Sequence, residues 1–202
     1  MVSQYVDPNV SAAKFEAEIE EFRRLETEYR RRGWFLVEAT YPTVLVLMAA
    51  PQLKPPAVVT GVRFDYSNYD AEPPSVRLVD PFSGEPYLAR ELPTSLNRSV
   101  GMKQALALPG FPGGAVRLNQ LQPLMQASSP DEIPFFCIAG VREYHEHPAH
   151  SGDSWELHRS SGAGRVVRLL DVIYRYGVEP IRTYNVQLVP QLAGFNAPEP
   201  PE

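Results

Sequence analysis

Residues 34–80, WFLVEATYPTVLVLMAAPQLKPPAVVTGVRFDYSNYDAEPPSVRLVD, decide the fold. Four runs within them, 34–40, 43–51, 57–66 and 75–80, are rich in the β-branched and aromatic residues that suit a pleated surface. A Tyr41-Pro42 turn separates the first two, and the turn-rich SNYDAEPP separates the last two. In the third run Val62, Phe64 and Tyr66 fall on one face and Arg63 and Asp65 on the other, the period of a half-buried strand. The apolar second run reads as a strand buried on both faces. The simplest arrangement is a four-stranded antiparallel meander.

Outward from this core, residues 7–32 carry a helix signal. Asp7 can cap, Pro8 suits the first helical position, and Phe15, Ile19, Phe22, Leu25 and Tyr29 recur at helical spacing until Gly33. Charged residues including Arg23 and Arg24 lie off that stripe, so the helix is amphipathic and is expected to lie on a surface. Residues 81–134 lose the pattern and read as irregular. Val166, Leu169, Leu170 and Ile173 then mark a second helix, with Gly177 as its stop. IRTYNVQLV offers an edge strand at 181–189. These elements make an α+β domain over residues 1–190, followed by a Pro-rich tail at 191–202.

The chain has 202 residues, with 19 Lys and Arg against 24 Asp and Glu, a net charge of -5. That balance argues against broad electrostatic capture of nucleic acid or an anionic membrane. The longest apolar stretch, Val44 to Pro51, is far short of the roughly 20 residues of a membrane span. MVSQYVDPNV has no signal-peptide pattern, so a cytoplasmic location is expected. The single cysteine, Cys137, has no partner for an internal disulfide.

The chemistry gathers behind that cysteine. All four histidines, His145, His147, His150 and His158, follow Cys137 closely. One reading is a zinc site built from Cys137, Glu143 and two histidines. A second is a polar loop whose histidines cap turns and bond backbone groups. For Cys137, inert packing competes with a reactive thiol, exposed in a Gly- and His-rich loop beside groups able to lower its pKa. The GAG at Gly162 to Gly164 reads as a helix cap.

The order of elements resembles the ubiquitin-conjugating enzyme fold. Tyr69, Pro73, Pro74 and Val76 sit where that family runs from its third strand through a Tyr-Pro and Pro-Pro loop into its fourth. Cys137 takes the place of the active cysteine, and Trp155 that of the Trp on the way to the next helix. The likeness spans roughly Val10 to Tyr176. Residues 137–159, CIAGVREYHEHPAHSGDSWELHR, are also similar to a bacterial family described as a predicted metal-binding domain with Cys, Glu, His and His hallmarks. Members of that family are associated with ubiquitin-like proteins, ThiF-type adenylating enzymes and JAMM-type peptidases, and with antiviral defence.

The resemblance implies a transferase that carries a ubiquitin-like protein as a thioester on Cys137, without a cofactor, with His145 and His147 assisting. The first helix, through Arg23 and Arg24, would then meet the adenylating enzyme. A zinc protein and a non-catalytic adaptor are the alternatives. One departure stands out: the family's His-Pro-Asn triplet before the cysteine is missing, and Asn119 lies upstream in no such triplet.

Overall fold

The computed structural model describes residues 4–100, 105–107, 115–117 and 120–185. The expected tail, the upstream Asn119 and the second half of the expected edge strand lie outside the described residues. Helix α1 spans Pro8–Arg24, with the Asp7 carboxylate accepting from the Asn9 N–H at 2.9 Å and Pro8 in the first turn. The expected single helix is broken at Leu25 (φ -117°, ψ 16°), and α2 runs Glu26–Arg32. Phe15, Ile19, Phe22 and Tyr29 face the core, whereas the break turns Leu25 outward to 52% exposure. Gly33 closes α2 at φ 92°, where a Cβ would stand 2.4 Å from the Ala49 carbonyl oxygen. Only glycine permits that close turn into the sheet.

Strands β1 (Trp34–Thr40), β2 (Thr43–Ala50), β3 (Ala57–Asp65) and β4 (Ser75–Val79) form one antiparallel sheet in the order β1-β2-β3-β4. Residues Val44, Val46 and Met48 of β2 are fully buried, but Leu45 and Leu47 between them are only half-buried. The reading of β2 as buried on both faces is therefore corrected. Phe35 and Val37 are exposed on the same sheet, so its outer side is incompletely covered. Phe15 meets Tyr41 and Tyr66 edge-on at 5.7 and 5.9 Å, joining α1 to the inner side.

The stretch read as irregular, together with the two residues after it, contains three small two-stranded ladders. Strand β5 (Asn97–Val100) pairs with β8 (Gln120–Pro123), β6 (Ala105–Ala107) with β7 (Ala115–Arg117), and β9 (Met125–Gln126) with β10 (Phe135–Phe136). These pieces are too short to show a hydrophobic period. Helix α3 follows at Arg142–Glu146 and α4 at Val166–Ile173. Gly177 does not stop α4, because the chain continues as a wider helical turn through Val178. Its role is close packing: a Cβ there would stand 2.9 Å from Leu96 Cγ. Residues 181–185 form no strand. No helix among the described residues is long and apolar enough to cross a membrane.

Candidate functional site

Backbone pairing sets the position of Cys137. Leu124 donates its N–H to the Leu96 carbonyl and accepts from the Cys137 N–H, each at 2.8 Å. The cysteine thus lies one residue beyond β10, in extended chain tied through Leu124 to the start of β5. Its thiol is partly exposed, with Sγ 3.4 Å from His150 Nε2. Burial pushes the thiol above its ordinary pKa, and the Arg98 guanidinium pulls it partly back. The expectation of a lowered pKa is therefore corrected, because loss of hydration outweighs the nearby positive charge.

The segment after Cys137 is anchored by a residue the sequence did not single out. Arg142, only 3% exposed, donates to the carbonyls of Ser67 (2.7 Å), Pro73 (3.2 Å) and Asp65 (3.4 Å) and lies 3.5 Å from Glu72. Its backbone N–H also bonds the Pro74 carbonyl at 2.9 Å. This guanidinium satisfies a loop that would otherwise bury unpaired carbonyls, and it docks α3 on the turn between β3 and β4.

The histidines take different places. His145, on α3, bonds the Asp153 carbonyl through Nδ1 at 2.7 Å and accepts the Gly140 N–H on Nε2 at 3.1 Å. Both ring nitrogens are thereby used by backbone. His147 accepts the Ala149 N–H on Nδ1 at 3.2 Å and stacks on Phe135 at 4.9 Å. His158 Nε2 lies 2.5 Å from Asp153 Oδ1. His150 is the imidazole brought to Cys137. It stacks on Tyr144 at 4.0 Å, and Tyr144 donates its hydroxyl to Asp153 Oδ2 at 2.5 Å. Burial, and then that bond, push the Tyr144 phenol up to about 12, while Tyr144 and His158 hold the Asp153 carboxyl below the usual range. Trp155 closes the loop, donating its indole N–H to the Asp70 carbonyl at 2.9 Å.

Glu143 points away from this group. Its carboxylate meets Arg77 at 2.8 Å and accepts the Ser75 hydroxyl. The four ligands of the zinc reading are therefore not gathered, and no group of three or more His, Cys, Asp or Glu among the described residues is placed to hold a metal ion. The residues do not fit that group.

Burial pushes the His145 imidazole below its ordinary value, against the raising effect of its bond to the Asp153 carbonyl. The unfolded chain consequently takes up the proton first as pH falls through about 6.5, and the stability due to neutral His145 is lost from there downward. The depressed Asp153 carboxyl acts in a lower window, below the ordinary carboxylate value near 4. Melting temperature should therefore fall between pH 7.5 and 5.5, and fall less steeply in His145→Gln. Equal slopes in the two proteins would exclude His145 as the source.

Arg23 and Arg24 lie far along the chain, exposed in the last turn of α1, where positive charge suits the helix end. They share a shallow surface with Glu20 and Glu21.

Fold and site together define a mixed α+β protein, with a four-stranded antiparallel meander and a Cys–His pair at the end of an extended segment. The chain belongs to the Y4jH-like family, described as the Y4jH family, which it matches over residues 6–181. It is 40% identical over 201 residues to the protein of Sinorhizobium fredii (strain NBRC 101917 / NGR234) named "Uncharacterized protein y4jH", covering 96% of this chain and 95% of that relative.

Proposed function

We propose that this protein is a ubiquitin-like-protein conjugating enzyme of the ubiquitin-conjugating fold, which carries the modifier as a thioester on Cys137. The observation that carries the reading is the partly exposed Cys137 thiol 3.4 Å from His150 Nε2. Its placement after a helix-covered meander, in extended chain with Trp155 and a helix following, supports the same reading. A thioester exchanges readily with thiol and amine nucleophiles, so one thiol beside a base suffices on an open surface.

In the loading step His150 Nε2 accepts the Cys137 proton, and Sγ attacks the modifier's C-terminal carbonyl, held as a thioester on the adenylating enzyme's cysteine. The carbon–sulfur bond to that enzyme breaks, and its departing thiolate takes the proton from His150. An amine later attacks the Cys137 thioester and releases the thiol. His150 serves here as the base, while His145 and His147 hold the loop in shape.

The test is loading in the presence of a ThiF-type adenylating enzyme, ATP and the ubiquitin-like protein. A protein–modifier adduct that collapses on added thiol is expected. Absence of any adduct while the adenylating enzyme loads itself would overturn the proposal. In the same assay Arg23 and Arg24, as the docking strip for that enzyme, should govern encounter rate. Reversing both to Glu should slow loading most at low ionic strength, where charges are least screened. Each exposed charge at a helix end is worth about 0.3–1 kcal/mol, so the double reversal should lower stability only modestly. Equal loading rates at low salt would reduce α1 to a packing role.

A further inference from the structure

Beside Cys137 the surface opens into a cavity of about 360 Å³ lined by Arg98, Tyr144, His150, Arg168 and Arg175. No carboxylate lines it among the described residues. The concentration of positive charge is notable in a chain of net charge -5. Two of the three guanidinium groups also lack an acidic partner among the described residues. Arg98 donates to the Gln122 side-chain oxygen at 2.7 Å, across the β5–β8 ladder where the two residues are paired. Arg168 donates to the carbonyls of Ala163 (2.7 Å) and Ala139 (3.1 Å). By contrast Arg175 pairs with Asp171, Arg165 with Glu21 and Arg159 with Asp70.

Neutral partners thus orient Arg98 and Arg168 without cancelling their charge. Two oriented, uncompensated guanidinium groups on a concave wall are the usual means of holding a carboxylate or a phosphate. We propose that this cavity is an anion subsite, which seats the acid group of the molecule that reacts at Cys137. The assignment of the reaction rests on the thioester-carrier reading, but the anion subsite does not depend on the adenylating enzyme or the modifier. In that reading the acid belongs to a small acceptor amine, since a carbonyl carried as a thioester has no free carboxylate.

Alkylation tests the subsite on the intact chain, because Cys137 is the only cysteine. Iodoacetate carries an acid and iodoacetamide does not, while both attach through the same displacement of iodide by the thiolate. At low salt the iodoacetate-to-iodoacetamide rate ratio for Cys137 should exceed that of glutathione about 10-fold. It should fall to the glutathione ratio in Arg98→Gln plus Arg168→Gln. The single Arg98→Gln variant, altered only at an exposed side chain bonded to Gln122, should show a partial fall and guards against misfolding of the double variant. Inorganic phosphate and acetate, added separately, identify the acid by which one slows iodoacetate more. A wild-type ratio equal to that of glutathione, or a raised ratio that survives the double substitution, overturns the proposal. Failure of the loading assay with this ratio intact would instead count against the carrier reading alone.

Discussion

Cys137→Ala is expected to abolish the thiol-sensitive adduct, the largest effect any single change should have on activity. No other cysteine exists to take over. The fold should survive, because Cys137 contributes a backbone N–H to Leu124 and that bond does not need the side chain. A loss of less than about 1 kcal/mol is expected for so small a change at a partly exposed position. Cys137→Ser should differ in kind: any modifier attached through its oxygen would survive thiol treatment. The raised thiol pKa adds a pH signature. Thiolate is the nucleophile, so the wild-type rate of iodoacetamide alkylation should still be climbing above the ordinary thiol value of about 8.5. Adduct formation by Cys137→Ala at the wild-type rate would remove the cysteine from the mechanism.

Trp34→Ala should give the largest loss of stability, about 3–5 kcal/mol, against the 5–15 kcal/mol typical of a whole domain. The Trp34 side chain is fully buried and joins three parts of the molecule. Tyr29 of α2 stacks on it at 5.1 Å, Tyr174 beyond α4 meets it edge-on at 5.8 Å, and the Arg32 guanidinium sits 4.5 Å above its ring. Its indole N–H is buried without a hydrogen-bond partner among the described residues, so Phe loses no bond there. Trp34→Phe should cost less, because it keeps an aromatic ring and leaves a smaller cavity. Urea denaturation of the two variants checks the ordering. Because the chain from α4 to Tyr174 also carries Arg168, the Ala variant should loosen the cavity wall as well as the core.

The four strands were legible because their periods are long enough to show on a single pass, and Gly33 announced the turn into them. The break at Leu25 was not legible, since Leu25 continues the helical spacing of Phe22 and Tyr29 and only its own non-helical backbone rotates it outward. The short ladders between 97 and 136 escaped for the opposite reason: two- to four-residue strands carry no period. At the site, sequence spacing identified Cys137 and the histidine cluster but not which imidazole reaches the sulfur. That choice depends on α3, whose five residues turn His145 toward the Asp153 and Gly140 backbone and leave His150 to the thiol. Arg98 and Arg168 come from distant segments and share no spacing with Cys137. Their joint position follows from the β5–β8 register and from α4, which no local pattern reports.

The central claim is that Cys137 holds the modifier's carbonyl as a thioester, and intact-mass spectrometry with peptide mapping tests it most directly. After incubation with adenylating enzyme, ATP and the ubiquitin-like protein, the chain should gain the modifier's mass less one water. The gain should map to the peptide containing Cys137 and disappear on brief treatment with thiol. A gain that resists thiol or maps to another residue, or an unchanged mass beside a fully loaded adenylating enzyme, would contradict the account.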